Sequence, residues 1–150
     1  MTAATPRVAV TTGKWVTLYR ADGRKLWSRL AHRAIFSPAG NEVLLDRGDI
    51  GWVALDVSSA RELPWSAGLT WVRPSAQVQW SPSGRLLCFE WPIGGGGRNA
   101  VGVYSPGERR WLVQAAFADG LSCAEVAAWS PDERRLAMGC EGGEWDAASL

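Results

Sequence analysis

Ile35-Phe36-Ser37-Pro38, Gln79-Trp80-Ser81-Pro82 and Ala128-Trp129-Ser130-Pro131 share one pattern: an aromatic residue, Ser-Pro, a turn, then a second apolar run. Ser37 and Ser81 stand 44 positions apart, and Ser81 and Ser130 stand 49 apart. Periods of this size mark an internal structural repeat, and the repeat decides the fold.

The turn has a physical logic. Proline with its fixed φ suits the second position of a type I turn, serine suits the first, where its hydroxyl bonds back to the chain, and glycine suits the fourth. Ser81-Pro82-Ser83-Gly84 and Ser37-Pro38-Ala39-Gly40 fit all three requirements, whereas Ser130-Pro131-Asp132-Glu133 has no glycine, a departure that type I geometry tolerates. Each turn is read as a hairpin between strand a and strand b. The second strands are Val43-Leu44-Leu45, Leu87-Cys88-Phe89 and Leu136-Ala137-Met138.

A third strand, c, repeats as Val16-Thr17-Leu18, Val53-Ala54-Leu55 and Val101-Gly102-Val103, with the alternation of a half-buried strand. Beyond it lie Ala21-Asp22-Gly23, Ser58-Ser59-Ala60 and Pro106-Gly107-Glu108, read as turns into a fourth strand, d, anchored by Leu26, Leu63 and Trp111. Four strands per repeat make a meander.

These segments resemble the WD-repeat superfamily and its bacterial beta-propeller relatives, whose strand a commonly ends in F-S-P-D-G. The Trp-Asp pair closing strand c in that family corresponds to Leu55-Asp56 in one repeat and to Leu18-Tyr19 and Val103-Tyr104 in the others. Ala31-His32 stands where the family places its histidine. The stretch Leu18-Tyr19-Arg20-Ala21-Asp22-Gly23-Arg24-Lys25-Leu26-Trp27 also resembles the repeat of quinoprotein-like propellers. The resemblance implies an all-β chain of beta-propeller blades, four-stranded antiparallel meanders in an incomplete ring. The expected divisions are a partial blade 7–33, blades 34–77 and 78–126, and a partial blade 127–150 that stops where strand c should begin. About three blades are too few for a closed ring. The remainder is expected from a longer chain or from oligomerisation.

Ten tryptophans supply much of the apolar area to be buried. Trp15, Trp52, Trp80 and Trp129 are assigned to matching repeat positions in the core, which leaves Trp65, Trp71 and Trp91 as the aromatic candidates for contact. With 16 basic and 15 acidic residues, the total charge points to neither nucleic acid nor an anionic membrane. Distribution says more. Arg24, Arg61 and Arg109 are assigned to one c–d turn position and Arg85 and Arg134 to the a–b turns, so these five form the expected partner-binding rim. The opposite side gathers Asp46, Asp49, Asp119, Glu125, Glu141 and Glu144.

Signals of catalysis are sparse. One histidine builds no multi-histidine metal site, and no G-x-S-x-G elbow surrounds a serine. His32 and Asp56 are expected to be structural, and no catalytic, cofactor or metal residue is assigned. Cys88, Cys123 and Cys140 lack C-x-x-C spacing and are read as small buried residues of a reducing compartment. Gly95-x-Gly97-x-x-Ala100 matches a dinucleotide fingerprint only formally, because a strand rather than a helix follows it. Asp46-Arg47-Gly48-Asp49 supplies too few ligands for calcium. No apolar leader or membrane-spanning stretch is present in the sequence, and a cytoplasmic location is expected. The reading is a non-catalytic propeller module for protein–protein interaction or scaffolding. The alternative is a propeller domain accessory to an enzyme, peptidase-associated or quinoprotein-like, without cofactor, nucleic-acid or membrane partners of its own.

Overall fold

In the computed structural model, which describes the backbone of residues 6–73, 76–92, 99–116, 122–141 and 148–149, the chain is all-β, and its antiparallel sheets are not closed into a barrel. Two compact units divide it, Met1–Pro74 and Ser75–Leu150. In the first, β1 (Arg7–Thr12), β2 (Trp15–Arg20) and β3 (Lys25–Leu30) form one sheet, and β4 (Arg33–Phe36), β5 (Glu42–Asp46) and β6 (Trp52–Asp56) form another. In the second, β7 (Gln77–Trp80), β8 (Leu87–Pro92), β9 (Asn99–Ser105) and β10 (Arg110–Ala116) form a four-stranded meander. It is followed by a sheet of β11 (Ser122–Trp129), β12 (Arg135–Glu141) and β13 (Ala148–Ser149). The short β13 pairs with β12, so a strand stands where the sequence reading had the repeat stop. No described helix is long and apolar enough to cross a membrane.

The three Ser-Pro segments close hairpins by the same set of bonds. The amides of Ser37, Ser81 and Ser130 donate to the carbonyls of Glu42, Leu86 and Arg135 at 3.0, 2.9 and 2.9 Å. In return the three serine hydroxyls accept from the amides of those same residues at 3.2, 3.1 and 2.9 Å. The fourth turn residue is left-handed each time, with φ of 69° at Gly40, 76° at Gly84 and 58° at Glu133. The turn therefore does select for glycine, and Glu133 carries a strain that the type I reading did not anticipate.

Hydrogen-bond register also corrects the alignment of strand c. Arg20, Asp56 and Ser105 occupy one position, each opposite the first residue beyond its turn, Arg24, Arg61 and Arg110. Counting back four residues from each aligns Val16 and Val101 with Trp52, not Val53. A slip of one residue exchanges the two faces of a strand. Hence the residues matching the family's Trp-Asp pair are Leu55-Asp56, Tyr19-Arg20 and Tyr104-Ser105. Trp15 loses its core assignment with the same step: it aligns with Gly51 and is 53% exposed, whereas Trp52, Trp80 and Trp129 are buried. Trp65 and Trp91 are buried as well, which leaves Trp71 and Trp15 as the exposed tryptophans among the described residues.

One expected fourth strand does not form. After β6, Asp56 N donates to Arg61 O and Leu63 N to Ala54 O, giving a single bridge between Leu55 and Glu62. Pro64 then has no N–H to continue the ladder, and the chain turns into a 3-10 helix, Pro64–Leu69. This helix buries Trp65 and Leu69, and the turn after it passes so close to Gly51 that a Cβ there would overlap the Thr70 carbonyl.

Each unit buries apolar side chains between its two sheets. In the first, Val16, Leu18 and Trp27 meet Val43, Leu45 and Leu55, and the Trp27 indole donates to the Val57 carbonyl at 3.1 Å. In the second, Cys88, Val101 and Val103 meet Trp129 and Leu136. The other face of the meander carries Phe89, Trp91, Tyr104 and Trp111, with ring centroids 5.2–5.9 Å from Trp111. Gly102 lies among these rings, and a Cβ there would stand 2.5 Å from the Trp111 ring. Gly102→Ala is expected to destabilise the fold by about 1–3 kcal/mol, because packed rings must shift to admit a methyl group. Gly107→Ala, whose Cβ meets nothing within 4 Å, is expected to stay within about 0.5 kcal/mol. Urea unfolding followed by tryptophan fluorescence compares the two.

Candidate functional site

The candidate rim is built by turns at one end of each unit. In the first unit, Arg24 lies in the β2–β3 turn and Arg61 just beyond β6; Arg7 at the start of β1 donates to the Gly40 carbonyl at 3.3 Å, which links the ends of the two sheets. In the second, Arg85, Arg109 and Arg134 lie in the β7–β8, β9–β10 and β11–β12 turns. All five are exposed. The structure thus groups Arg24 with Arg61 and Arg85 with Arg109 and Arg134. Arg109, however, is not the structural counterpart of Arg24 and Arg61. It holds the left-handed turn position, φ 54°, shared with Gly23 and Ala60, and the counterpart is Arg110. Arg110 is bound to Glu108 at 2.6 Å.

Charge compensation separates the five further. Arg85 donates to Glu133 at 3.4 Å, while the guanidinium groups of Arg24, Arg61, Arg109 and Arg134 form no ion pair among the described residues. Glu133 is buried and ties two Ser-Pro turns together, accepting from both the amide and the hydroxyl of Ser83, the latter at 2.8 Å. Burial alone would raise its carboxyl; the bonds from Ser83 and the Arg85 cation outweigh burial and hold it below the usual carboxylate range. These contacts also explain why a glutamate is kept in left-handed backbone. Its carboxylate fixes the neighbouring turn that displays Arg85.

Of the acidic residues expected on the opposite side, the side chains of Asp46 and Asp49 are described, both in the first unit. Asp46 is buried, accepts from Arg33 Nε at 3.1 Å and from the Gly48 amide at 2.9 Å, and so belongs to the scaffold. Arg33 in turn lies 4.9 Å from the Trp52 ring centroid. Asp49 is exposed. Asp119 and Glu144, like the glycine-rich segment 94–97, lie outside the described residues, as do the side chains of Glu125 and Glu141. His32 donates its amide to the Asp46 carbonyl at 2.7 Å, but its ring is exposed beside Gly48 and makes no hydrogen bond among the described residues. Backbone and Asp46 therefore hold this corner, where the resemblance assigned a histidine.

A cavity of about 260 Å³ opens near His32, walled by Lys14, Arg47, Asp49, Leu30 and Ile50. Arg47 is already paired with Glu62 at 3.3 Å, and Asp49 offsets Lys14, so the cavity has little net charge to select an ion. No cluster of three or more metal-ligating side chains occurs among the described residues. Cys88 is fully buried, and its thiol is pushed up to about 12, first by burial and then by Glu90, which makes it a poor nucleophile.

Asp56 closes the turn that follows β6. One carboxylate oxygen accepts from the Ser58 amide and hydroxyl at 3.1 and 2.6 Å and from the Ser59 amide and hydroxyl at 2.7 and 2.8 Å. In the β9–β10 turn, Ser105 does part of the same work, accepting from the Glu108 amide at 3.2 Å. The chain matches no protein-family model and no curated protein. Site assignments therefore rest on this geometry.

Hydrogen bonds from the Ser58 and Ser59 side chains, then from the Ser59 amide, lower the Asp56 carboxyl to about 2. A depressed carboxyl adds stability above its unfolded value and loses it as pH falls through the folded value. Asp56→Asn is expected to cost about 1 kcal/mol at neutral pH, the modest size reflecting a solvent-screened turn. The gap to the parent protein should close between about pH 4 and pH 2. Denaturant titrations of both proteins across that range check the sign and the window.

Proposed function

We propose that this chain is a non-catalytic, WD-repeat-like propeller module that binds an acidic protein surface through its arginine-bearing turns. The observation that carries the reading is the three-fold recurrence of the same serine-clasped hairpin, each followed in the sheet by a strand of matching register. Meanders of this kind supply rigid scaffolds, and binding residues are commonly displayed on loops that such scaffolds position. Here the turns fixed by Asp56 and by the Ser83–Glu133 contact hold Arg61, Arg85 and Arg134 at defined places.

Chemistry favours recognition over turnover. The described residues offer Arg24, Arg61, Arg109 and Arg134 as exposed guanidinium groups outside any described ion pair, each able to form a bidentate bond with a carboxylate. An acidic peptide or acidic domain surface is the fitting partner class. The remainder of a propeller ring is supplied by further chain or by association.

Binding to a panel of immobilised acidic peptides, read by surface plasmon resonance, tests the rim. Joint replacement of Arg24, Arg61 and Arg109 by Ala is expected to weaken binding at least about tenfold and to flatten its salt dependence. Undiminished binding by the triple variant would remove the arginine turns from the interface.

A further inference from the structure

The outer face of the β1–β2–β3 sheet is uncovered and apolar. Register places Val8 opposite Tyr19, Val10 opposite Thr17, Thr12 opposite Trp15, Trp15 opposite Leu30 and Thr17 opposite Ser28, so these residues share one face. The other face holds Val16, Leu18 and Trp27 and is buried against the β4–β5–β6 sheet. On the outer face Val8 is 52% exposed, Val10 43%, Trp15 53% and Leu30 49%. β5 of the neighbouring sheet shows the contrast: both sides of that strand are buried from Val43 to Asp46.

The chemistry of the face says what covers it. Across Val8, Val10, Thr12, Trp15, Thr17, Tyr19, Ser28 and Leu30 there is no formal charge; Lys25, opposite Tyr19, stands at one corner. Its central hydroxyls bond to each other, Thr17 Oγ1 lying 2.8 Å from Ser28 Oγ, which lowers the cost of removing water from the middle of the face. A two-fold contact brings a patch against its own copy, and any charge at its centre would meet itself. This patch has none to repel.

Size sets the strength. The four apolar residues expose on the order of 350 Å² per copy, near the largest apolar patch of an ordinary monomer. With the flanking hydroxyl residues, a face-to-face pair buries about 1,000 Å² in total, at the lower edge of specific association.

We propose that the outer face of the β1–β2–β3 sheet is a self-association surface on which a second copy of this chain packs face to face about a two-fold axis. The contact stands on exposure, charge and register, independently of the propeller reading and of the arginine turns.

Light scattering coupled to size exclusion, run on the full chain from about 1 to about 200 µM, tests the proposal. The mass is expected to rise from 16.3 kDa towards twice that value with concentration. Val10→Lys and Trp15→Lys, both at exposed positions, are expected to hold the mass at 16.3 kDa throughout while the cooperative urea unfolding transition stays that of the parent. A parent mass that stays at 16.3 kDa across the range overturns the proposal. So do open-ended higher oligomers, and so does a dimer that survives both substitutions, which would move the contact to another surface such as the open edge of β1.

Discussion

The hydroxyls of Ser37, Ser81 and Ser130, each bonded to the amide five residues on, are the constraint from which the rest of this structure follows. A hairpin turn fixes how two strands are paired, and pairing fixes which side chains face which way. Once Ser37 is closed on Glu42, Phe36 must lie opposite Val43 and Ile35 opposite Leu44. The same closure at Ser81 sets Trp80 opposite Leu87, and at Ser130 sets Trp129 opposite Leu136. Burial of both faces of β5 and β8 then depends on a turn of a few residues, because a slip of one residue would exchange the two faces of each strand.

That dependence explains what could be read in the sequence. The aromatic-Ser-Pro pattern is local, and its geometry is set by proline, serine and the fourth turn residue, so three hairpins and their following strands were legible. Strand c was found but misaligned by one residue at β6, since Val53 and Val101 are alike in sequence while Trp52 is the residue that shares the position of Val101. The break at Pro64 was legible in principle: a residue without an N–H cannot extend a ladder, and the apolar anchor Leu63 outweighed that signal. Buried Asp46 was not legible, because its partners Arg33 and Gly48 reach it through the hairpin and a turn rather than through a motif. Glu133 was visible only as a missing glycine. Its role appears when Ser83, 50 positions away, is brought beside it.

Glu133 and Asp56 show two solutions to one problem. A turn must be held against a neighbour or against itself for its exposed residues to stand in fixed places. Asp56 does this alone, collecting four donors from Ser58 and Ser59 on one oxygen. Glu133 does it across two hairpins and accepts left-handed backbone, φ 58°, where Gly40 and Gly84 need no compensation. Strain offset by a charge-assisted bond marks a turn whose position matters more than its own local comfort.

The proposed recognition role rests on how the described charges are compensated. Asp46 is paired with Arg33 at 3.1 Å and Arg47 with Glu62 at 3.3 Å, so these charges of the first unit are compensated within it. In the turns of the second unit Arg110 is matched by Glu108 and Arg85 by Glu133, while Arg109 and Arg134 there, and Arg24 and Arg61 in the first unit, stand outside any described ion pair. A guanidinium in water gains little from a single surface carboxylate, because solvent screens it and the side chain must be ordered. Several on rigid turns gain more, since the backbone has already been ordered and only side-chain freedom is lost when an acidic surface arrives. On the proposed reading the serine clasps at Ser81 and Ser130 order the turns of Arg85 and Arg134, and Asp56 orders that of Arg61, before a partner arrives.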